Sequence, residues 1–499
     1  MNNNSVFITL SNGGSVPFES VPALPEEMFR TEVLQQVKEN GCRVLAFFAL
    51  PDENVFRVIA LLGNPVSHEL MLTSMGVSEH YRSLTPDWPA FHLFEREIRE
   101  QTGIIPEGHP RLLPVRRYEQ TDTEDKTCVV PFQRMEGEAV HEVAVGPIHA
   151  GVIEPGHFRF QCMGEDVFAL EIALGYQHRG IEKLLEGGPD RLSLHRIETA
   201  AGDTTAASAS LYCRLLESLS GCTVPESVQK LRMIALELER IANHVGDLGA
   251  LAGDVAFLPT SSFCGRIRGE YLNMTAELCG NRFGRGLIQP GTCRYPLEKT
   301  RAEKILNWIN RVYPELRHAL KLMFDSPTVL DRLENTGAVS KETAVRIGLV
   351  GPAARASGLK LDARRDFPEN GAVQPPPLVL PDDTGDVMAR ARIRRRELAA
   401  SHAWLLSALQ SVDSDLTMPE AVPLTLQPGR IAAAVEEAWR GELCHVAVTD
   451  QRGCFRKYKI VDPSFHNWFG LALALRGEQI SNFPICNKSF NLSYCGHDL

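Results

Sequence analysis

The sequence predicts an α+β protein in two parts, a small α+β domain followed by a mainly helical domain with an opening β-hairpin. Two apolar, aromatic-rich runs, Arg43 to Leu50 and Val55 to Leu62, flank a short polar turn, which is typical of a β-hairpin. Further along, apolar residues recur at steps of three and four, the spacing of a helix with one buried face. These residues are Leu231, Ile234, Leu238, Ile241, Val245 and Leu248.

The first domain is predicted to begin with a helix from Pro25 to Glu39, ahead of the hairpin. A polar stretch from Glu119 to Thr127 contains few apolar residues and is the best candidate for a linker. We therefore expect one domain over residues 1–125 and a second over residues 140–499.

Within the second domain, Thr300 and Glu303 form a capping-box pattern at the start of a helix, which we expect to break or kink at Pro314. A later helix carries five arginines. We expect them to form a solvated or salt-bridged face, and contact with acidic lipid or a partner subunit is the alternative. These residues are Arg390, Arg392, Arg394, Arg395 and Arg396.

Composition excludes several classes of protein. With a net charge of -10 and interspersed acidic and basic residues, the chain of 499 residues has no electrostatic feature that favours nucleic acid as a partner. Its apolar stretches are shorter than the roughly 20 residues of a membrane-spanning helix. The N-terminus lacks the pattern of a signal peptide, so we expect a cytoplasmic protein.

The 12 cysteines are scattered, and none forms a Cys-x-x-Cys pair. Zinc ribbons and iron-sulfur clusters usually take their ligands from such close pairs. We therefore predict free thiols and no cluster bound by this chain.

Three segments of the first domain, Tyr81 to Ala90, Phe94 to Ile98 and Gly103 to Pro110, resemble the C subunit (30 kDa subunit) of respiratory complex I and its hydrogenase relatives. In that family the segment docks the small domain beside an iron-sulfur subunit. The resemblance implies a role in assembly.

The second domain resembles the complex I D subunit (49 kDa subunit) and, more closely, the large subunit of group 4 membrane-bound nickel-iron hydrogenases such as formate hydrogenlyase and hydrogenase-4. The similar segments are Gly146 to Phe160, Gly175 to Lys183, Leu236 to His244, Gly351 to Gly358, Glu437 to Glu442, Asp462 to Trp468 and Phe483 to Tyr494. The resemblance implies a fusion of C-like and D-like subunits.

Hydrogenases of this family bind the nickel-iron centre through two Cys-x-x-Cys pairs, because soft thiolates suit these metals. The first pair aligns with Glu198 and Ala201, and the second aligns with Ser493 and Gly496. We therefore expect the nickel-iron centre to be lost and no cofactor to be bound by this chain. Cys495 lies nearby, and we interpret it as a small apolar side chain.

The family also implies candidates for a proton or quinone pocket. His149 and His157 lie on the hairpin that reaches the quinone in complex I, and either imidazole can donate to a quinone oxygen. Glu182 lies in the block that supplies a proton-transferring carboxylate in hydrogenases. The alternative for Glu182 is an ion pair with Arg179 or Lys183.

Arg440 matches a hydrogenase arginine that lies over the metal. Here it either binds an anion or pairs with Glu198. Asp203 and Glu198 are acids at the former metal site, and they either relay protons or fill space as hydrogen-bonded groups. His178 and His244 lack metal-ligand spacing and are expected to be core or interface histidines.

The resemblance implies a core peripheral-arm subunit of a complex I-like or hydrogenase-like oxidoreductase, with a quinone- or proton-handling cavity. The implied partners are a small subunit that carries a [4Fe-4S] cluster and resembles the complex I B subunit, a ferredoxin-like subunit, and membrane ion-pumping subunits that hold the complex at the inner face of the cytoplasmic membrane. NADH is a plausible distant donor, although no dinucleotide-binding loop is present. The alternatives are a non-catalytic scaffold and, less favoured, an active [NiFe] hydrogenase.

Overall fold

The computed structural model describes residues 5–116, 132–151, 153–369, 373–421 and 424–499. Its helices are α1 Glu26–Lys38, α2 His92–Thr102, α3 Ile181–Leu185, α4 Ser193–Glu198, α5 Thr205–Ser220, α6 Glu226–Asp254, α7 Leu258–Cys279, α8 Lys299–Phe324, α9 Pro327–Leu333, α10 Lys341–Ile347, α11 Gly351–Ala356, α12 Ala363–Asp366, α13 Val387–Gln410, α14 Pro463–Ala474, α15 Phe483–Phe490 and α16 Tyr494–Asp498. The predicted linker, residues 119–127, lies outside the described residues.

The strands are β1 Ile8–Leu10, β2 Ser15–Pro17, β3 Ala23–Leu24, β4 Arg43–Asp52, β5 Val55–Asn64, β6 Glu69–Val77, β7 His80–Arg82, β8 Ile105–Glu107, β9 Val140–Val145, β10 His157–Met163, β11 Asp166–Ala173, β12 Ile288–Gln289, β13 Thr292–Cys293, β14 Arg430–Ala438, β15 Gly441–Thr449 and β16 Phe455–Val461. The predicted α+β class is confirmed.

The N-terminal part is built on the predicted hairpin, which is confirmed. Strands β4 and β5 pair in antiparallel fashion, with Arg43 opposite Gly63 and Asp52 opposite Val55. They extend into a sheet of order β1-β6-β5-β4, and β3 pairs in parallel with β6. Helix α1 lies within one residue of its predicted limits at each end.

The N-terminal and later parts of the chain interlock. Strand β2 pairs with β14 and completes a four-stranded sheet of order β16-β15-β14-β2. One hydrophobic core contains Phe47 and Phe91 from the N-terminal part together with Ile431, Val435 and Val446 from this sheet. The two parts therefore share buried apolar surface.

Long helices form the centre of the later part. The predicted apolar stripe lies on α6, which packs against α7 and α13, and its members are buried. Helix α8 packs against α7. It begins at Lys299 with Glu298 as N-cap, so the predicted capping box is wrong. The helix continues through Pro314, so the predicted break is wrong and the alternative, a kink, stays a prediction. Pro314 has no backbone N–H to donate to the Asn310 carbonyl. Because both residues are exposed, water can donate to that carbonyl instead.

The elements around the candidate site come from four distant stretches of the chain. Strands β9, β10 and β11 form a sheet, and the loop of residues 146–156 joins the first two. The backbone N–H groups of Arg179 and Gly180 donate to the Leu499 carbonyl, which fastens α16 beside α3. Across the described residues, we find no helix with the length and apolarity needed to span a bilayer.

Candidate functional site

Three of the four positions aligned with hydrogenase thiolates lie in one region. Ala201 precedes Gly202, whose backbone N–H hydrogen-bonds the Cys495 sulfur, and Cys495 lies between Ser493 and Gly496. Glu198, the fourth position, is turned away, because its Oε1 accepts a hydrogen bond from the Gly286 backbone N–H at 2.6 Å. Burial raises the pKa of Glu198.

The side chain at position 493 caps a helix. Ser493 Oγ accepts from the backbone N–H of Gly496 at 2.9 Å, at the first turn of α16. Its own backbone N–H donates to Ser464 Oγ at 2.8 Å. Ser493 therefore stabilises the local fold at a position where the hydrogenases have a metal ligand.

Position 496 has no room for a larger side chain. A Cβ on Gly496 would lie 2.6 Å from Asp462 Oδ2. That carboxylate is held in place because Asp462 Oδ1 caps α14 by accepting from the Ser464 backbone N–H at 2.8 Å. A cysteine at position 496 requires Asp462 to move.

The donor set of this region does not fit a nickel-iron centre. Its aligned positions offer two carboxylate or hydroxyl side chains, a methyl group and a hydrogen, where the centre needs four thiolates. Burial raises the pKa of the nearby Cys495 thiol to about 11, and the charge of Glu154 adds to that effect. Among the described residues, no three His, Cys, Asp or Glu side chains are grouped to hold a metal.

Asp203 and Arg440 form a bidentate ion pair at the site. The two Nη atoms of Arg440 donate to the two carboxylate oxygens of Asp203 at 2.6 and 2.7 Å. The guanidinium lies 3.9 Å from the centre of the Trp439 ring, and its Nε donates to the Asn491 carbonyl at 2.6 Å. The alternative in which Arg440 pairs with Glu198 is therefore wrong, because the Glu198 carboxylate is bound to Gly286.

This pair determines the charge at the site. Burial alone raises the pKa of the Asp203 carboxyl, but the adjacent Arg440 guanidinium outweighs burial and holds that pKa below its usual value. The carboxylate is therefore ionised at neutral pH, and the bidentate contact fixes its orientation.

The hairpin loop places the two candidate histidines in different environments. His149 Nε2 donates to the Gly156 carbonyl at 2.8 Å, within the same loop. His157 Nε2 is buried and has no hydrogen-bond partner among the described residues. Burial lowers the pKa of His157, with smaller effects from Arg159 and His149, so its imidazole is neutral at pH 7. Near the loop tip, Ile148 and Ile153 are 86% and 43% exposed.

Glu182 belongs to a separate buried cluster. Its Oε1 accepts from Lys459 Nζ at 2.9 Å and from the Ile460 backbone N–H at 2.9 Å. Lys459 also donates to Glu97 of the N-terminal part at 2.8 Å. The alternative ion pair of Glu182 with Arg179 or Lys183 is wrong, because the Glu182 carboxylate pairs with Lys459 and Arg179 donates to the carbonyls of Thr199 and Ala200.

The other two histidines, expected to be core or interface residues, each make a hydrogen bond, but His178 is only partly buried and His244 Nδ1 has no partner among the described residues. The fully buried His244 lies 2.8 Å from Glu397 Oε2, and His178 Nδ1 donates to the Asp498 carbonyl at 2.7 Å. Sequence reasoning missed Glu239 on α6, whose carboxylate faces the site from behind Asp203. Glu239 lies four residues before Asn243 and therefore on the same face of α6, and this spacing was the sequence signal that could have identified it.

Comparisons with known proteins match both parts of the chain. The family profile of the 30 kDa subunit of respiratory-chain NADH dehydrogenase matches residues 26–125, and that of the 49 kDa subunit matches residues 254–430. The carbon monoxide-induced hydrogenase of Rhodospirillum rubrum is 29% identical over 355 residues, which cover 71% of this chain and 98% of that protein.

Two further relatives represent the two branches of the resemblance. Formate hydrogenlyase subunit 5 of Escherichia coli is 28% identical over 442 residues, covering 83% of this chain and 76% of that protein. The D 1 subunit of NADH-quinone oxidoreductase from Chloroherpeton thalassium is 27% identical over 391 residues, covering 72% of this chain and 88% of its own.

A solved structure shares the fold. A chain of the membrane-bound sulfane sulfur reductase, an archaeal respiratory membrane complex, superimposes with a TM-score of 0.65 at 21% identity. The match covers 72% of this chain and 99% of that one. The chain therefore shares its fold with a chain of that complex.

Proposed function

The chain belongs to the family of fused complex I 30 kDa and 49 kDa subunits that includes the group 4 hydrogenase-like proteins, and from that premise we propose that it handles a quinone and its protons without a nickel-iron centre of its own. It is a core subunit of a complex I-like or membrane-bound hydrogenase-like oxidoreductase. The region vacated by the metal ligands is the place we assign to this chemistry.

One observation carries the proposal. Where the relatives named as hydrogenases need thiolates, this chain has a helix cap at Ser493 and a glycine packed on Asp462, while Asp203 and Arg440 form a rigid ion pair beside them. A charged pair that is oriented by two further contacts, with the Trp439 ring and the Asn491 carbonyl, is suited to hold a polar group or move a proton. It is not suited to bind low-valent iron.

The hairpin supplies the groups that a quinone would use. Nε2 of the neutral His157 imidazole has no hydrogen-bond partner among the described residues, and depending on the tautomer it can donate to a quinone oxygen or accept from a quinol hydroxyl. The exposed apolar side chains of Ile148 and Ile153 offer a surface for an apolar tail or for the neighbouring subunit. A quinone takes up two electrons and two protons on reduction, so a proton source must lie close to it.

The remaining components follow the family. We place a [4Fe-4S] cluster in a small subunit beside the loop, with a ferredoxin-like subunit before it and membrane ion-pumping subunits below. Residues 1–125 are assigned to docking and residues 140–499 to the redox cavity, on the cytoplasmic side of the membrane.

The test uses the complex purified with its native partners. We expect nickel near zero per chain by elemental mass spectrometry, and reduction of decylubiquinone by the reduced complex. Asp203→Asn should lower turnover by about tenfold or more, because it removes the anion that orients Arg440. Asp190→Asn is the matched control, since Asp190 lies in the same half of the chain but is half-exposed and bonds Arg196. Nickel near one per chain would overturn the proposal.

A scaffold is the second candidate function, and the roles of Ser493 and Gly496 favour it. Both positions contribute to local packing, as expected of a fold kept for docking the soluble and membrane arms. Under this hypothesis Asp203→Asn leaves turnover of the assembled complex unchanged, whereas disruption of the interface abolishes assembly.

A further inference from the structure

Glu239 lies behind the Asp203–Arg440 pair, on α6. Its Oε2 accepts the backbone N–H of Ala206 at 2.7 Å, and its Oε1 accepts that of Ala207 at 3.4 Å. These N–H groups belong to the first turn of α5, so the carboxyl group is held at a fixed distance from the turn that carries Asp203.

A small cavity separates the two carboxyl-bearing residues. It has a volume of about 20 Å³ and is lined by Asp203 and Glu239, together with Asn243 and Arg282. A site needs about 10–15 Å³ of such volume and two to four polar partners to hold one water molecule. This cavity meets both conditions.

The surroundings of the two carboxyl groups shift their pKa values in opposite directions. Burial, with a contribution from the charge of Asp203, raises the pKa of Glu239 to about 8 despite the two backbone donors and Arg240. Arg440 keeps Asp203 ionised. The charged groups that face Glu239 are thus Asp203 from the turn before α5, Arg282 from the loop after α7, and Arg240 on α6 itself.

We propose that Glu239, a water in this cavity and Asp203 form a proton relay that ends at the vacated metal region. In one step Glu239 gives its proton to the water, the water passes a proton to Asp203 Oδ, and Glu239 is left as the carboxylate. No electron moves in this step, because the electrons for the acceptor come from the iron-sulfur cluster of the partner subunit. Glu239 acts through Asp203 and is therefore a positioning and relay residue.

This inference rests on the proposed function for its destination, but the relay itself does not depend on the acceptor. A neutral carboxyl group with a raised pKa can act as the proton donor, whereas Asp203 accepts a proton only transiently, because Arg440 keeps its pKa low and thereby favours passing the proton on. The donor must be protonated, so turnover should fall as pH rises through about 8.

The first experiment is infrared difference spectroscopy of the purified complex during a pH titration. We expect a protonated-carboxyl C=O band that titrates near pH 8. It should be absent in Glu239→Gln and retained in Glu226→Gln, a control at the exposed start of the same helix. Asp203→Asn should shift the midpoint downward, because it removes a neighbouring negative charge. No such band, or a midpoint indifferent to Asp203→Asn, would overturn the relay.

The second experiment is the pH profile of decylubiquinone reduction. Glu239→Gln should lower turnover by about tenfold or more below pH 8 and remove the fall above it. If Glu239→Gln reduced decylubiquinone as fast as the wild type and with the same pH profile, the relay would also be overturned. If the wild-type complex reduces no quinone while the infrared coupling of Glu239 to Asp203 is present, the proposed acceptor is wrong and the relay stands.

Discussion

At the scale of single residues, positions that the resemblance aligns with hydrogenase thiolates make contacts that stabilise the fold of this chain. Gly496 is the clearest case, since the space in front of its Cα is occupied by the Asp462 carboxylate. A side chain at position 496 and the carboxylate of Asp462 therefore compete for the same space.

We expect Gly496→Ala to destabilise the protein by about 1–3 kcal/mol, because the new methyl group forces Asp462 out of its position. The measurement is the urea midpoint of unfolding. Asp462→Ser keeps an N-cap for α14 with a shorter side chain, so the double variant should recover most of the loss. Equal losses in the single and double variants would show that Asp462 is not the obstacle.

At the scale of elements, buried ion pairs join segments that are far apart in the chain. Lys459 on β16 bonds Glu97 on α2 and Glu182 on α3, and Glu97 also pairs with Arg116. These charges lie inside the protein, where removal of one partner costs more than the pair contributes. The contact of β16 with α2 and α3 is therefore rigid only while all of these charged side chains are present.

Lys459→Met should destabilise the chain by about 3–5 kcal/mol at pH 7, since it leaves Glu97 and Glu182 buried without their ammonium group. Lys457→Met, on the same strand but partly exposed, is the control and should cost less than about 1 kcal/mol. Chemical unfolding of both variants compares the two losses. Similar values would contradict a special role for Lys459.

The ion pair of Lys459 with Glu97 also predicts how the free energy of unfolding depends on pH. Although burial opposes it, the charges of Lys459 and Arg116 lower the pKa of Glu97 to about 2, well below the value of roughly 4.3 for an unfolded chain. The stabilisation is therefore complete above pH 4–5 and is lost as pH falls toward 2. The difference in unfolding free energy between wild type and Lys459→Met should shrink over that range, and a constant difference would exclude this ion pair as its source.

These elements also show what sequence reasoning can reach. The β4–β5 hairpin and α6 were predicted well because turn residues and helical periodicity are local signals. The partners of Arg440 and Glu182 were not, because Asp203 and Lys459 lie 237 and 277 residues away. Local rules also failed at Pro314, where solvent exposure lets a helix tolerate the proline.

At the scale of the whole molecule, the N-terminal part completes the later part. Strand β2 covers the edge of β14, and the aromatic core around Phe47 covers Ile431, Val435 and Val446. An open, apolar strand edge invites association with other chains. Without residues 1–125, the later part would expose both that edge and those side chains.

We therefore expect residues 140–499, expressed alone, to aggregate or to unfold at a lower temperature than the full chain. Burial of each of Ile431, Val435 and Val446 is worth about 1.5–3 kcal/mol, so the lost cover is comparable with the total stability of many domains. Co-expression with residues 1–125 should restore a soluble one-to-one complex, because β2 can pair with β14 in trans. Size-exclusion chromatography and thermal unfolding measure both effects. If residues 140–499 alone were monomeric, with an unchanged unfolding temperature, the shared core would contribute little, and docking of the N-terminal part would depend on the partner subunits instead.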